Sequence, residues 1–442
     1  MSMSFLSFRG GVHPPHFKEA TARKGVERAA EPKVVTIPLQ QHIGAPCEPL
    51  VKPGDRVKVG EKIGEANGFV SSPVHSSVSG EVKQVARMLT PTGEAVCIVI
   101  ENDGLNTVHE SVIPKGKIED LSGKEILNII KEAGIVGLGG AAFPTQVKLS
   151  PPPEKKIDTI ILNGAECEPF LTADHRLMLE NPEEVIYGLK AMMKVLDVNK
   201  AFIGIEDNKK DAIESMKKAV EKNDQIQIVG LHTKYPQGAE KQLIYACTKR
   251  EVPSGGLPMD VGVVVNNVGT AAAISNALKT GMPLIERIAT ITGKGIKEPK
   301  NLLIKIGVSF KELIEQCGGY SGTPGKLIMG GPMMGLAQYT DEIPVIKGTS
   351  GILVLTPEEA KLPEPKPCIR CGKCVEICPA FIQPLFISAY ALQNMHETAE
   401  KYNALDCIEC GSCSFICPSK RPLLQSIRVT KREIIAKKRK VK

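Results

Sequence analysis

The sequence predicts a multidomain chain of mixed α/β and α+β class, on three observations. Short Val- and Ile-rich runs broken by Gly and Pro fill residues 34–102. Helical and strand-like patterns alternate over residues 120–280. A cysteine pattern is duplicated near the C-terminus, after the proline-rich linker KLPEPKP at 361–367. At 442 residues the chain has room for about three domains. The expected division is 1–110, 115–282, 285–357 and 361–427, followed by a basic tail at 428–442.

Composition narrows the function classes. Aromatics make up 4% of the chain and Trp is absent, so the core must rest on Ile, Val, Leu and Ala. No run of eighteen apolar residues occurs, so no transmembrane helix is expected. The start, MSMSFLSFRGG, lacks the charged and long apolar regions of a secretory signal. Residues 428–442 hold eight Lys or Arg against one acid, Glu433, which matches the whole formal charge of +7. No aromatic residues interleave with those charges, which argues against nucleic acid as a partner. An anionic lipid surface or a membrane subunit fits such a segment, as does plain solvent.

The β unit, IPLQQHIGAPCEPLVKPGDRVKVGEKIGE followed by SSPVHSSVSGEVKQV, has strands of similar length separated by PGD and VSGEV turns. It resembles the biotinyl/lipoyl-type barrel-sandwich fold. It shows no hairpin-tip lysine motif for cofactor attachment, and His42, Cys47 and His75 lack close metal-ligand spacing, so the unit reads as structural. In the second unit LSGKEILNIIKEAG has helical spacing and IDTIILNG reads as a buried strand. NKKDAIESMKKAVEKND is amphipathic, with Ala212, Ile213, Met216, Ala219 and Val220 on one face, and IQIVGL and DVGVVVNN are further strands. This alternation implies a Rossmann-like layer that binds ligands at strand ends. Residues 285–355 read as a small β-rich domain with one helix, SFKELIEQCGG.

Of thirteen cysteines, Cys47, Cys97, Cys167, Cys247 and Cys317 are scattered singly. The other eight form two copies of Cys-x2-Cys-x2-Cys-x3-Cys-Pro: Cys368, Cys371, Cys374, Cys378 with Pro379, and Cys407, Cys410, Cys413, Cys417 with Pro418. Clustered thiols point to metal ligation, not to a disulfide framework. Three cysteines at this pitch let one tight loop present three thiolates to an iron–sulfur cube, and the fourth ligates the partner cluster. The expected 4Fe-4S sets are Cys368, Cys371, Cys374 and Cys417, and Cys407, Cys410, Cys413 and Cys378. Zinc would favour two separated Cys-x2-Cys knuckles. The segment PLFISAYALQNMHETAEKYN between the motifs reads as helix, which gives a helical two-cluster type.

Residues 137–148, GLGGAAFPTQVK, lie between a helix and a strand. Gly137, Gly139 and Gly140 allow close backbone approach to a flat or phosphorylated ligand, with Lys148 as counter-charge and Phe143 available to stack. Three more segments sit at strand-to-helix junctions: LNGAECEPF with Asn163, Glu166 and Glu168, KYPQGAEKQL with Tyr235 and Gly238, and VVNNVGTAAAI with Asn266, Asn267 and Thr270. Together they suggest one pocket.

These four segments resemble the FMN- and NADH-binding subunit of respiratory complex I. The resemblance implies that Gly137, Gly139, Lys148, Asn163, Glu166, Tyr235, Gly238, Asn266, Asn267 and Thr270 contact FMN. It places Phe143 and Glu168 on the nicotinamide-nucleotide side. Ala165 stands where that family has an acid, and Ala142 where its loop has a last glycine. FRGGVHPPHFKEAT, QHIGAPCEPLVKPGD, the flavin segments and the duplicated cysteine motif, in that order, resemble the C subunits of the Rnf complex over nearly the whole chain. That resemblance implies a barrel-sandwich (lipoyl-like) domain, an FMN/NADH-binding α/β domain, a β-grasp-like (SLBB) domain and a ferredoxin-type domain. It implies an electron-transfer role with FMN, two 4Fe-4S clusters and NAD(H) as substrate. It implies no general acid or nucleophile, and docking to membrane-bound partners at the cytoplasmic face of the bacterial membrane. The cobalamin reductase of bacterial microcompartments and a flavin-free electron wire are the competing readings.

Overall fold

The computed structural model describes residues 5–221 and 225–441. Residues 1–4 of the N-terminal stretch, 222–224 of the amphipathic segment and Lys442 of the basic segment lie outside the described residues.

Residues 34–102 form two small antiparallel sheets. One orders the strands Val34–Pro38, Gly93–Asn102, Gly80–Thr90 and Arg56–Val57, and the other Glu48–Pro49, Lys62–Glu65 and Val74–His75. Alternation puts Val35 and Ile37 on the same inner side as Ile98 and Ile100, and they pack with Ile63 and Val74 between the sheets. His42 is buried against the Ser72 backbone, 3.9 Å from the Cys47 sulfur, and burial lowers its pKa to about 4.

The α/β domain is built on a four-stranded parallel sheet. Its order is Ile226–Leu231, Ala201–Glu206, Thr159–Gly164 and Val263–Asn267. The apolar runs that predict buried strands are buried because helices cover both faces. The chain leaves Thr159–Gly164 to build one side of the sheet and returns to its other side with Val263–Asn267, so the order reverses there. A crevice at the carboxyl ends of those strands follows from the topology. Behind it the helices Pro182–Leu196 and Val268–Thr280 cross at Gly188, whose added Cβ would stand 1.8 Å from the Ala271 carbonyl oxygen. Gly188→Ala therefore forces these helices apart and is expected to cost about 2–3 kcal/mol, read as a lowered unfolding temperature.

The third domain is a six-stranded mixed sheet around the strands Glu286–Thr292, Lys300–Lys305 and Gly351–Leu355. Its helix Phe310–Gln316 starts on a Ser309–Glu312 capping box. The edge strand is Val26–Arg28, from the far N-terminus. The residues before that strand bond to the α/β domain: Leu6 bridges Leu231, Val12 bridges Tyr235, and the Phe170 amide donates to the His16 carbonyl. Sequence pattern groups residues 1–110 as one unit and carries no sign of these contacts. Lys347 also ties domains together. Its ammonium is buried against the carbonyls of Pro73 in the barrel and Gly134 in the α/β domain.

The cysteine domain consists of short helices and one long one at its end. The basic segment belongs to the helix Leu423–Val441, whose Ile427, Thr430 and Ile434 are buried. Part of its charge is paired: Arg428 and Lys431 with Glu409, and Lys438 with Glu400. Composition alone sets that charge apart from the body of the protein; helical periodicity places part of it against the cysteine loops.

Candidate redox site: a flavin crevice and two cysteine loops

The glycine loop closes on itself, with the Gly137 amide donating to the Phe143 carbonyl (2.9 Å). Gly139 and Gly140 are exposed. A Cβ on Gly140 would meet nothing, whereas one on Gly139 would press on Asn267 at 2.8 Å. Ala142 has φ of +51°, the left-handed region that favours glycine. Alanine holds that conformation at a cost of about 1 kcal/mol, which explains why the resembling loops carry glycine there.

The other predicted residues gather around this loop at the carboxyl edge of the sheet. Lys148 reaches across to the Val265 carbonyl (3.0 Å) and the Glu240 carboxylate (2.9 Å). Asn163 donates to the Gly238 carbonyl and accepts from the Ala165 amide, fixing two segments together. Asn267 caps the helix Val268–Thr280 through the Gly269 amide and donates to Asp174. Thr270 lies behind the glycine loop, where its hydroxyl receives the Leu138 amide. Asn266 is buried, and its amide nitrogen has no partner. An unpaired buried donor beside an open glycine cradle and a cation is a donor set that suits a phosphorylated, flat, acceptor-rich group such as FMN.

Two acids of this edge are held by backbone amides. Glu166, at φ +46°, accepts from the Asp174 and His175 amides at the start of the helix Ala173–Glu180. Glu168 accepts from the Met333 and Met334 amides of the third domain (3.0 and 2.8 Å). Burial raises the Glu168 pKa to about 7. The native state thus holds that proton more tightly than an unfolded chain, so stability falls as pH rises from about 4.5 to 7. The contribution is on the order of 3 kcal/mol. Glu168→Gln has no such proton to lose. Its melting temperature is expected to gain on the wild type between pH 5.5 and pH 7.5, and parallel curves would contradict this.

Sequence reasoning misses the groups that hold this edge in place. Lys18, buried, donates to the carbonyls of Glu166, Glu168 and Leu171. Lys209 pairs with Glu206 and donates to the Ala165 carbonyl. Arg287 donates to the Leu138 carbonyl in the glycine loop. Lys18 lies in FRGGVHPPHFKEAT, so that stretch carries a signal, but nothing in it says which backbone it meets.

The two cysteine loops repeat each other in backbone as well as in spacing. Arg370 and Glu409 have φ of +54° and +59°, Gly372 and Gly411 of +75° and +79°, and Phe381 and Lys420 of +54° and +51°. Left-handed residues at these points turn each loop so that its cysteines converge. Cys378, Cys407, Cys410 and Cys413 line one cavity, with Ile408 and Ile427. Cys374 lies near Cys368, Cys371 and Cys417, and burial with those neighbouring sulfurs raises its pKa. The fourth cysteine of each motif thus stands with the three of the other, and four sulfurs around an apolar cavity suit a cube. Cys368 and Cys371 are exposed, whereas Cys410 and Cys413 are buried. The buried loop abuts the α/β domain: Cys410 packs with Tyr235 and Val12, beside Cys167 and Met333.

Family models match for the RnfC barrel sandwich hybrid domain over residues 6–105, the Nuo51 FMN-binding domain over 130–276, the SLBB domain over 288–337 and a 4Fe-4S dicluster domain over 360–418. The chain is 56% identical to the C subunit of the Na(+)-translocating ferredoxin:NAD(+) oxidoreductase complex of Acetobacterium woodii, covering 100% of both chains. It is 54% identical to the proton-translocating counterpart of Clostridium ljungdahlii, covering 97% of this chain and 94% of that one. It is 42% identical to the C subunit of the ion-translocating oxidoreductase complex of Rhodobacter capsulatus, over 96% and 83% of the two chains. In fold it is similar to a chain of the NAD+-reducing [NiFe]-hydrogenase, at a TM-score of 0.51 and 18% identity over 73% of this chain and 62% of that chain. Matches that run through every domain in the same order, and along the whole length of a relative, make this chain a member of the family of C subunits of ion-translocating Rnf oxidoreductase complexes.

Proposed function

We infer that this chain is the peripheral component that exchanges hydride with NAD(H) at FMN and passes single electrons through two 4Fe-4S clusters to or from membrane-bound partners. Bound FMN would supply the conversion between a two-electron hydride and single electrons. The rest is positioning. Gly137, Gly139, Gly140, Asn163, Gly238, Asn266 and Asn267 shape the cradle, with Thr270 supporting it from behind. Lys148 supplies positive charge for the phosphate end. Phe143, half-buried at the loop's end, borders the side where a nicotinamide would stack. The finer fold readings fit the same picture: a Rossmann-like flavin layer, a β-grasp-like third domain and a helical two-cluster ferredoxin-type domain.

The observation that carries the reading is the asymmetry of the cysteine loops. The buried loop Cys407–Cys413 packs on the Tyr235 segment and would hold the cluster nearer the flavin crevice, first in line for its electrons. The loop Cys368–Cys374 comes second and opens to the surface, where Ile369 is 67% exposed beside Arg370 and Lys373. No described helix is long and apolar enough to cross a membrane. Membership of the family supports the reading that ion movement belongs to other subunits and that this chain docks at the cytoplasmic face.

Anaerobically purified protein is expected to show flavin absorption peaks over a broad iron–sulfur shoulder, and NADH is expected to bleach both. A flavin-free spectrum would favour the electron-wire reading, and a flavin that NADH leaves oxidised would end the hydride-exchange reading.

A further inference from the structure

Two buried side chains at either end of one short segment reach from the α/β domain to the same cysteine group. The Tyr235 ring is 1% exposed, and its hydroxyl donates to the Cys410 carbonyl at 2.8 Å. The Tyr235 backbone is paired in both directions with Val12, which fixes where the ring stands. Seven residues on, Gln242 is 7% exposed and its Nε2 donates to the Pro379 carbonyl at 2.8 Å. A carbonyl can only accept, so the amide orientation is settled. Between them Gly238 lies at the flavin crevice, bonded to Asn163 and to the Cys167 sulfur. One stretch therefore touches the flavin cradle with its middle and the cysteine cavity with its ends.

The two carbonyls are not arbitrary acceptors. Cys410 is one of the four cysteines around the cavity, and Pro379 follows another, Cys378. The peptide unit that accepts from Gln242 joins Pro379 to Ala380, directly after Cys378. A donor on the oxygen of a peptide draws off part of the negative charge which that oxygen presents to its surroundings. Bonds to cluster sulfurs and positive dipole ends nearby favour the more negative, reduced cluster, and so raise its potential.

We propose that the segment Tyr235–Gln242 is a clamp by which the flavin domain positions the cluster of Cys378, Cys407, Cys410 and Cys413 and raises its reduction potential. The proposal rests on the assignment of that cluster as the one nearest the flavin. Tyr235 and Gln242 are positioning residues here. Both act through backbone carbonyls, and neither is a ligand. The clamp makes the electron's first step off the flavin less uphill and holds the distance over which it occurs.

The test is a redox titration followed by electron paramagnetic resonance on full-length, anaerobically prepared wild type, Tyr235→Phe, Gln242→Met and the double variant. The cluster concerned is identified as the signal missing from Cys410→Ala. Iron and flavin contents are expected to match the wild type. The midpoint of that cluster is expected to move to more negative potential in each single variant and further in the double, while the other cluster stays in place. After rapid mixing with NADH its reduction is expected to slow. Unchanged midpoints in both single variants, or a shift confined to the other cluster, would overturn the clamp. If Tyr235→Phe loses iron, Gln242→Met carries the test alone, since its contact lies at the other end of the segment. Absence of NADH bleaching in the wild type would instead sink the functional reading, and the same samples report it.

Discussion

Cys410→Ala is expected to retain about four of eight irons and to keep its flavin. Cys410 is buried, lines the cavity with Cys378, Cys407 and Cys413, and accepts the Tyr235 hydroxyl on its carbonyl. A cube that loses one of four thiolates in a buried site has no water-borne substitute close by, so the whole cluster goes. NADH is then expected to bleach the flavin band but leave the remaining iron–sulfur absorption oxidised, because the surviving cluster lies beyond the gap. The matching change in the exposed loop, Cys371→Ala, should behave differently. NADH still reduces the flavin and the remaining cluster, and only transfer to an external acceptor stops. If both variants lose transfer at the same step, the order of the two loops is wrong. If Cys410→Ala keeps its full iron, the crossed ligand sets are wrong.

Lys148→Met is expected to weaken FMN binding roughly 10- to 100-fold, the worth of a charge-assisted bond of about 1.5–3 kcal/mol. Lys148 sits half-buried at the mouth of the glycine loop, anchored on the Val265 carbonyl and on Glu240. Met keeps the length of the side chain and removes the charge, so packing changes little. Iron content should be unaffected, since no bond of Lys148 reaches the cysteine domain. Titration of flavin-stripped protein with FMN, followed by quenching of flavin fluorescence, reads the affinity. An unchanged affinity would place the phosphate end of the pocket elsewhere. Loss of iron together with flavin would mean that the substitution unfolds the domain and reports nothing specific about the phosphate.

Much of the site can be read directly from the residues. The duplicated cysteine spacing names all eight sulfurs and their crossed grouping. The repeated left-handed positions at Arg370 and Glu409 show why spacing is enough: each loop is a local structure whose turns are set within a dozen residues. The strand-end segments with Asn163, Asn266 and Asn267 are legible for a similar reason. A parallel sheet with a reversal in strand order has one place for a crevice, and those residues fall at the strand ends.

The directions of side chains are less accessible. The family resemblance puts Glu168 at the nicotinamide side, yet its carboxylate meets Met333 and Met334 from another domain. It groups Tyr235 with the flavin contacts, yet the Tyr235 hydroxyl bonds to a cysteine loop 175 residues away. Composition marks the basic end as a separate tail, yet Lys431 donates to the Cys407 carbonyl.

Local pattern is thus sufficient for this chain's domain types and for the grouping of its strand-end segments and its cysteines, because each depends on residues close together along the backbone. Which cysteine loop faces the flavin, what Lys18 and Gln242 hold, and how the N-terminal stretch laces the domains together arise from contacts between residues more than a hundred positions apart. Such contacts follow from how whole domains pack, and short-range periodicity, caps and spacing carry no record of that packing.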